Sequence, residues 1–150
     1  YFLTLKIIAN SFKKTNWIIK PHPRYDYIDF YKTLEDENLR VELNQDISYV
    51  NDHAYAIIGI GVPTTGLFWS IVKNKPLVFC NCDNDEKILI LLKPYTIIVN
   101  KPEQLSFEIE KLSNSEDYYN IMSDKTKALV SDYFGEKNEL SKLIQIITHD

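Results

Sequence analysis

Short apolar runs alternate with amphipathic segments along most of the chain, and this alternation predicts an α/β fold. Five runs have the length and composition of β-strands, and they lie at 17–20, 39–43, 56–62, 76–80 and 96–99. The third run is almost entirely apolar, as is typical of a strand that is buried on both faces of a parallel sheet. We therefore predict an α/β fold with a Rossmann-like parallel sheet of about five strands flanked by helices.

Apolar residues at spacings of three and four predict helices between these strands. In the first of them, at 1–14, Phe2, Leu5, Ile8 and Phe12 share one face. Asp46 is the predicted cap of a short helix around residues 49–50. The other predicted helices lie at 25–37, 67–74, 83–93 and 102–112, and one or two amphipathic helices follow at 115–148 with an interruption near Gly135.

Composition narrows the possible functions. The chain has 150 residues, of which 45% are hydrophobic, and a formal net charge of −4. It fits a single domain with a core, and its charge does not favour nucleic acid as a partner. Cys80 and Cys82 are too close for a good disulfide and supply only half of a metal site, so we expect reduced thiols in a cytoplasmic protein. No run approaches the ~20 apolar residues needed to span a bilayer.

The first candidate site is the loop Lys20-Pro21-His22-Pro23-Arg24, which follows the first predicted strand. The two prolines fix their own φ angles and restrict the residues before them, so the loop is stiff. It holds a histidine between two basic residues. A histidine in this setting can donate a proton or carry positive charge toward an anion near neutral pH.

The second candidate site is Gly59-Ile60-Gly61-Val62-Pro63-Thr64-Thr65-Gly66, at the end of the third predicted strand and leading into a helix. Free N–H groups at a helix start and two hydroxyl groups favour a phosphate, and glycines let the backbone approach it. A helix cap formed by Thr64 or Thr65 explains the same residues, so both interpretations stay open. The segment is neither a Walker loop nor a dinucleotide fingerprint.

The other histidine and acidic residues that could bind a ligand are expected to have structural roles. His53 precedes a predicted buried strand and is expected at the end of a helix, and His149 lies near the end of the sequence. Helix capping explains Asp83-Asn84-Asp85 better than a calcium loop, because the required glycine and terminal glutamate are missing. We therefore expect no metal site.

Together, the two loops resemble the C-terminal half of GT-B glycosyltransferases, in particular bacterial sialyltransferases, polysialyltransferases and related capsule transferases. The resemblance rests on the His-Pro motif at His22, the hydroxyl pair 42 to 43 positions later, and Gly66 at the start of a helix. Lys75-Pro76-Leu77-Val78 at the next strand and Tyr133-Phe134-Gly135 before the last helix are also similar. The resemblance covers essentially the whole chain.

The resemblance implies half of a GT-B fold that binds a CMP-activated sugar of the sialic acid or Kdo type and transfers it with inversion and without a metal cofactor. It implies a role in bacterial surface polysaccharide synthesis. His22 is the implied catalytic residue, because it matches the histidine that contacts the donor phosphate and assists the departure of CMP. The implied phosphate-binding residues around it are Lys20, Pro23, Arg24, Gly61, Thr64, Thr65 and Gly66.

The chain departs from the family pattern in two respects. It has Thr-Thr where the family usually has Ser-Ser or Ser-Thr, and the acid that holds the nucleoside has three candidates: Glu42, Asp46 and Asp52. The family's general base and glycan acceptor site belong to an N-terminal domain that this sequence does not contain, and the central first strand of the family's C-terminal sheet is expected ahead of Tyr1. We therefore expect a C-terminal fragment that is inactive alone, from a cytoplasmic enzyme compatible with peripheral association at the inner face of the membrane.

Two alternatives remain open. Transferases of CDP-glycerol or CDP-ribitol phosphate, of the teichoic acid type, also resemble the His-Pro-Arg loop, but they usually carry Asp-Tyr-Ser-Ser where this chain has Val62-Pro63-Thr64-Thr65. A UDP-sugar donor is not favoured, because UDP-sugar enzymes often place a glutamate soon after this loop, where the chain has Phe68 and Trp69. The other alternative is a non-catalytic α/β interaction module.

Overall fold

The computed structural model describes residues 5–7, 10, 15–21, 27–44, 46–61, 67, 71, 73–81 and 84–134. The strands in these ranges are β1 (Trp17–Ile19), β2 (Leu39–Val41), β3 (Ile57–Ile60), β4 (Leu77–Cys80) and β5 (Ile97–Val99). The helices are α1 (Ile28–Lys32), α2 (Ile47–His53), α3 (Glu86–Leu92), α4 (Pro102–Asn114) and α5 (Glu116–Phe134). Residues 5–7, 10, 67 and 71 are also helical. The predicted α/β class is confirmed.

The strands divide into two parallel sheets. β1 pairs with β2, with Trp17 opposite Leu39, and the second sheet has the order β3-β4-β5. Each of the five predicted strands is present, but a single sheet of about five strands is not seen among the described residues, because β1 and β3 are not hydrogen-bonded to each other. Apolar runs identify strands without specifying which edges pair.

The second sheet is covered on both faces. All four side chains of β4 are buried, as expected for a central parallel strand. One face forms a cluster with the helices, made of Ile57, Leu67, Ile71, Leu77, Phe79, Leu92 and Leu129. The other face packs against α4 and α5 in a cluster of Val78, Cys80, Ile97, Val99, Leu105, Ile109, Leu112 and Met122.

Gly59 lets β3 and its neighbours pack closely. A Cβ at this position would lie 2.6 Å from Cδ2 of Phe79 and 2.9 Å from Cδ1 of Leu67. Both side chains are buried in the first cluster. A larger residue at 59 would therefore push apart the strand and the segment that contains Leu67.

The first sheet has its own cluster, formed by Leu5, Tyr31, Leu34 and Leu39. Among the described residues, two connect it to the second sheet. Trp17 of β1 also packs against the cluster on the α4 side, and Ile60 of β3 packs against both of these clusters. The two sheets therefore share one continuous core.

A side-chain-stabilised turn follows α1, which is shorter than the predicted helix at 25–37. The Thr33 hydroxyl donates to the Phe30 carbonyl at 2.6 Å. Asp36 Oδ1 then accepts from the amides of Asn38 and Leu39, at 2.8 and 2.9 Å. These local bonds compete with helical ones, so the chain turns into β2.

Other helix ends follow the predicted residues more closely. The Asp46 carbonyl accepts from the Val50 amide at the start of α2. Asp85, within the predicted Asp83-Asn84-Asp85 cap, accepts from the Lys87 amide at 2.8 Å and caps α3. The predicted helices at 1–14, 67–74 and 115–148 are described only in part, and residues 135–148 lie outside the described ranges. Among the described helices, none is long and apolar enough to cross a membrane.

Tyrosines connect α4 and α5 to each other and to the segment before β3. The Tyr118 hydroxyl donates to Glu108 Oε2 at 2.6 Å, and Lys111 Nζ lies 3.8 Å from the centre of the Tyr118 ring. The Tyr119 hydroxyl donates to the Tyr55 carbonyl at 3.0 Å. Burial, followed by the hydrogen bond to Glu108 and its negative charge, raises the pKa of Tyr118 above its usual value. Burial also raises the pKa of Tyr119.

Removal of the Asp36 carboxylate tests the turn before β2. We expect Asp36→Ala to lower the free energy of unfolding by about 1–2 kcal/mol, because two amides lose their acceptor. Glu37→Ala, at the exposed neighbouring position, is the matched control and should change it by less than about 0.5 kcal/mol. Urea unfolding measures both. Equal effects would show that the Asp36 bonds do not stabilise the turn.

The raised pKa of Tyr118 predicts a loss of stability at alkaline pH. Between the unfolded pKa of about 10 and the higher folded value, the unfolded chain loses a proton that the folded chain keeps, so stability falls as pH rises. Thermal unfolding of Tyr118→Phe from about pH 8 to pH 11.5 should therefore show a weaker pH dependence than the unsubstituted chain. Tyr49→Phe serves as the exposed-tyrosine control, since Tyr49 is 49% exposed. Parallel curves for Tyr118→Phe and the unsubstituted chain would contradict the prediction.

Candidate functional site

Lys20 marks the carboxyl end of β1, where the first predicted phosphate loop begins. Its side chain is half-buried, and Nζ donates to the Leu43 carbonyl at 2.9 Å. This bond joins the residue after β1 to the segment after β2 and holds the ammonium group at the ends of both strands. An ammonium group has three donors, so the bond to Leu43 leaves two donors for a ligand.

Gly61 directly follows β3 and lies within the second predicted site, whose first two residues, Gly59 and Ile60, belong to the strand itself. The φ of Gly61 is 84°, in the left-handed region that residues with a Cβ rarely adopt. The chain therefore turns sharply after β3.

Most of the remaining predicted phosphate site lies outside the described residues. His22, Pro23 and Arg24 fall in the range 22–26, and Thr64, Thr65 and Gly66 fall in the range 62–66. Their roles stay predictions. Of the predicted phosphate-binding residues, the structure thus describes Lys20, which follows β1, and Gly61, which follows β3.

The three candidate acids lie in different places. Glu42 directly follows β2, and its amide donates to the Ile19 carbonyl of β1, so it lies beside the carboxyl end of that strand. Asp46 precedes α2. Asp52 lies in the last turn of α2, shortly before β3 begins, and its carboxylate is 2.6 Å from Lys73 Nζ. The structure therefore brings Glu42, but not Asp52, toward the strand end that carries Lys20.

Asn81 is a buried polar residue at the carboxyl end of β4 that the sequence analysis missed. Its Oδ1 accepts from the Asp85 amide at 3.0 Å, and its Nδ2 donates to the Asp85 carbonyl at 3.2 Å. Its own amide donates to the Val99 carbonyl of β5. The side chain therefore shapes the turn before α3, and an asparagine after an apolar strand is the sequence signal for such a turn.

The remaining histidine and cysteine residues considered as ligands lie in a helix or in the core, or outside the described residues. His53 ends α2, as predicted, and its Nδ1–H donates to the Tyr49 carbonyl at 2.8 Å. Cys80 is a buried cysteine, and Cys82 lies outside the described residues. Within the described part of the chain, no three histidine, cysteine or acidic side chains are grouped so that they could hold a metal ion.

No protein-family model, curated protein or solved structure matches this chain.

Substitution of Gly61 tests the turn after β3. We expect Gly61→Ala to lower the free energy of unfolding by about 1–2 kcal/mol, because alanine is strained at a φ of 84°. Gly61→Asn is the matched control and should cost less, since asparagine tolerates left-handed geometry. Denaturant unfolding compares the two variants. An alanine variant as stable as the unsubstituted chain would show that the turn does not require this conformation.

Proposed function

We propose that this chain is the donor-binding domain of an inverting, metal-independent glycosyltransferase that uses a CMP-activated sugar in bacterial surface polysaccharide synthesis. The observation that carries the proposal is the placement of Lys20 and Gly61. Each directly follows a strand of a parallel sheet, and each begins one of the two loops with predicted phosphate chemistry. In parallel α/β folds, ligands bind outside the carboxyl ends of the strands.

The two sheets support a Rossmann-like arrangement in which they are halves of one layer. They share a core through Trp17 and Ile60. The segment that joins β2 to β3 contains α2, and a connection through a helix is typical of parallel strands. In this arrangement the loops that follow β1 and β3 open on the same side of the layer.

The proposed chemistry follows from charge on the leaving group. The acceptor hydroxyl gives its proton to a general base, which the family resemblance places in an N-terminal domain, and its oxygen attacks the anomeric carbon. The bond from that carbon to the phosphate oxygen of CMP breaks, and negative charge grows on the phosphate. His22 donates a hydrogen bond to that phosphate, together with the hydroxyls of Thr64 and Thr65 and the free donors of Lys20. Donors aimed at charge that develops during the reaction lower the barrier more than they tighten donor binding.

Among the candidate acids, Glu42 and Asp46 suit the nucleoside better than Asp52. Both follow β2, whose end is joined to Lys20 through the Leu43 carbonyl. Asp52 already has a cationic partner in Lys73. A role for Asp52 in binding the ribose would require that ion pair to open.

Calorimetric titration of the chain with CMP, CDP, UDP and cytidine tests the proposal. We expect CMP to bind more tightly than UDP. The double variant Thr64→Ala, Thr65→Ala should weaken CMP binding by about tenfold or more, since hydrogen bonds to a charged phosphate are strong, and should leave cytidine binding nearly unchanged. His22→Ala should also weaken CMP selectively. Asp52→Ala, at the ion pair with Lys73, is the matched control and should bind CMP as the unsubstituted chain does.

Three results would contradict the proposal. Tighter binding of UDP than of CMP would indicate a different donor class. Tighter binding of CDP would favour the teichoic acid type of transferase. A chain that binds none of the nucleotides would be an interaction module instead. Equal loss of CMP and cytidine in the threonine variant would indicate a folding defect, and circular dichroism of that variant identifies one.

A further inference from the structure

Two pairs of aromatic rings lie at the end of α2 and in the segment that leads to β3. The rings of Tyr49 and His53, one turn apart on α2, have their centres 4.4 Å apart and their planes tilted by 39°. The rings of Tyr55 and Tyr119 face each other at the same distance, with a tilt of 34°. Since His53 and Tyr55 are two residues apart, their Cα atoms are at most about 7 Å from each other. These four residues therefore form one aromatic patch.

Hydrogen bonds hold the rings of the aromatic patch in fixed orientations. His53 Nδ1–H donates to the Tyr49 carbonyl at 2.8 Å. The Tyr119 hydroxyl donates to the Tyr55 carbonyl at 3.0 Å, and the Tyr55 hydroxyl donates to the Leu112 carbonyl at 3.3 Å. The patch is thereby fixed to α2, α4 and α5. A ligand that binds to rings already ordered in this way loses little further conformational entropy.

Two of the rings are exposed to solvent. Tyr49 is 49% exposed and Tyr55 is 55% exposed. Because one face of each ring is covered by its neighbour, His53 or Tyr119, the exposed area lies on the opposite face and at the ring edges. A single exposed tyrosine is ordinary, but adjacent and ordered rings present a flat apolar surface of the kind that binds ligands.

Polar groups border the aromatic patch. Asp52 lies on the same exposed face of α2 as Tyr49 and His53, because the three positions are separated by one turn of the helix. Asp52 Oδ1 is 2.6 Å from Lys73 Nζ, and both side chains are exposed. Since His53 Nδ1 carries a proton, Nε2 is the acceptor nitrogen of the neutral imidazole. Hydrogen-bond acceptors and a donor therefore lie beside the ring faces.

We propose that the aromatic patch is a binding surface for a neutral carbohydrate chain, with pyranose rings packed on the exposed faces of Tyr49 and Tyr55. The face of an aromatic ring carries partial negative charge. The axial C–H groups of a pyranose carry partial positive charge, so the two flat surfaces attract each other. The hydroxyl groups at the edge of the sugar then exchange hydrogen bonds with Asp52, Lys73 and His53. The proposed contacts bind the glycan without making or breaking a covalent bond.

Charge and shape favour a neutral sugar over other ligands. Glu116 and Asp117 are exposed in the first turn of α5, close in sequence to Tyr119, so an anionic polysaccharide or an anionic membrane would meet their carboxylates. Proline-rich peptides also bind to tyrosines, but they dock in grooves lined by aromatic rings. Here Tyr55 and Tyr119 are packed face to face, which fills the space between them.

The aromatic patch and the proposed donor site lie at opposite ends of β3. Tyr55 precedes this strand, and Gly61 follows it. A glycan bound at the patch would therefore leave the carboxyl ends of the strands accessible. The inference does not depend on the proposed nucleotide, and titration with CMP tests the donor site separately.

NMR titration of the 150-residue chain with cellohexaose tests the proposal. Cellohexaose is a neutral chain of β-linked glucose, and the C–H groups of its pyranose rings are axial. We expect the amides of His53, Tyr55 and Tyr119 to shift together. We also expect magnetisation saturated on the protein to transfer most strongly to the ring C–H protons of the sugar, because these protons would lie against the tyrosine faces.

Substitutions at Tyr49 separate ring packing from burial of apolar area. Tyr49→Leu should weaken cellohexaose binding by about fivefold or more, since leucine is apolar but has no ring face. Tyr49→Phe keeps the ring and should bind as the unsubstituted chain does. Ile90→Ala, at a position on α3 that is 79% exposed, is the matched control and should leave binding unchanged. Circular dichroism checks that each variant is folded.

Four outcomes would overturn the inference. The first is the absence of amide shifts and of saturation transfer with cellohexaose. The second is equal affinity of Tyr49→Leu and Tyr49→Phe, which would show that ring packing does not hold the sugar. Tighter binding of an anionic sialic acid oligomer than of cellohexaose would contradict the neutral class of ligand. Shifts of the same amides with a proline-rich peptide, but not with cellohexaose, would assign the aromatic patch to a peptide.

Discussion

In a β-sheet, each strand bonds half of its backbone groups to each neighbour, so an edge strand retains a row of donors and acceptors. The edge strands of this chain differ in whether these backbone groups are hydrogen-bonded. Glu35 and Asp36 bond the outer edge of β2, whereas the described residues pair β1 and β3 with a strand on one side only. The arrangement of the two sheets, their shared core and the position of the candidate loops all follow from where pairing stops.

Close packing then holds the strand ends in place. β4 is buried on both faces, and Phe79 lies against β3 because Gly59 has no side chain. Burial of a side chain of this size contributes about 1.5–3 kcal/mol. Since helices cover both faces of the second sheet, the backbone at the end of β3 is held in place. Lys20 performs a similar role in the first sheet, where its bond to Leu43 joins two strand ends.

The sequence predicted the five strands well because apolar runs between polar segments are a local signal. It did not predict the division into two sheets, since pairing depends on edges that are distant in sequence. The early end of α1 depends on side-chain bonds of Thr33 and Asp36, which helical periodicity does not reveal. At the candidate site, the strand-end positions of Lys20 and Gly61 were predictable, but the ion pair of Asp52 with Lys73 joins residues 21 positions apart and was not. The functions of His22, Thr64 and Thr65 rest on their resemblance to GT-B glycosyltransferases.

The central proposal is that the carboxyl ends of β1 and β3 contribute to one anion-binding site. Backbone amide NMR of the isotopically labelled chain during titration with CMP tests it most directly. The account predicts that the amides of Lys20 and Gly61 shift together, with the same apparent affinity, while those of Asp52 and Lys73 do not move. Shifts centred on Asp52 and Lys73, or shifts of Lys20 without Gly61, would contradict it.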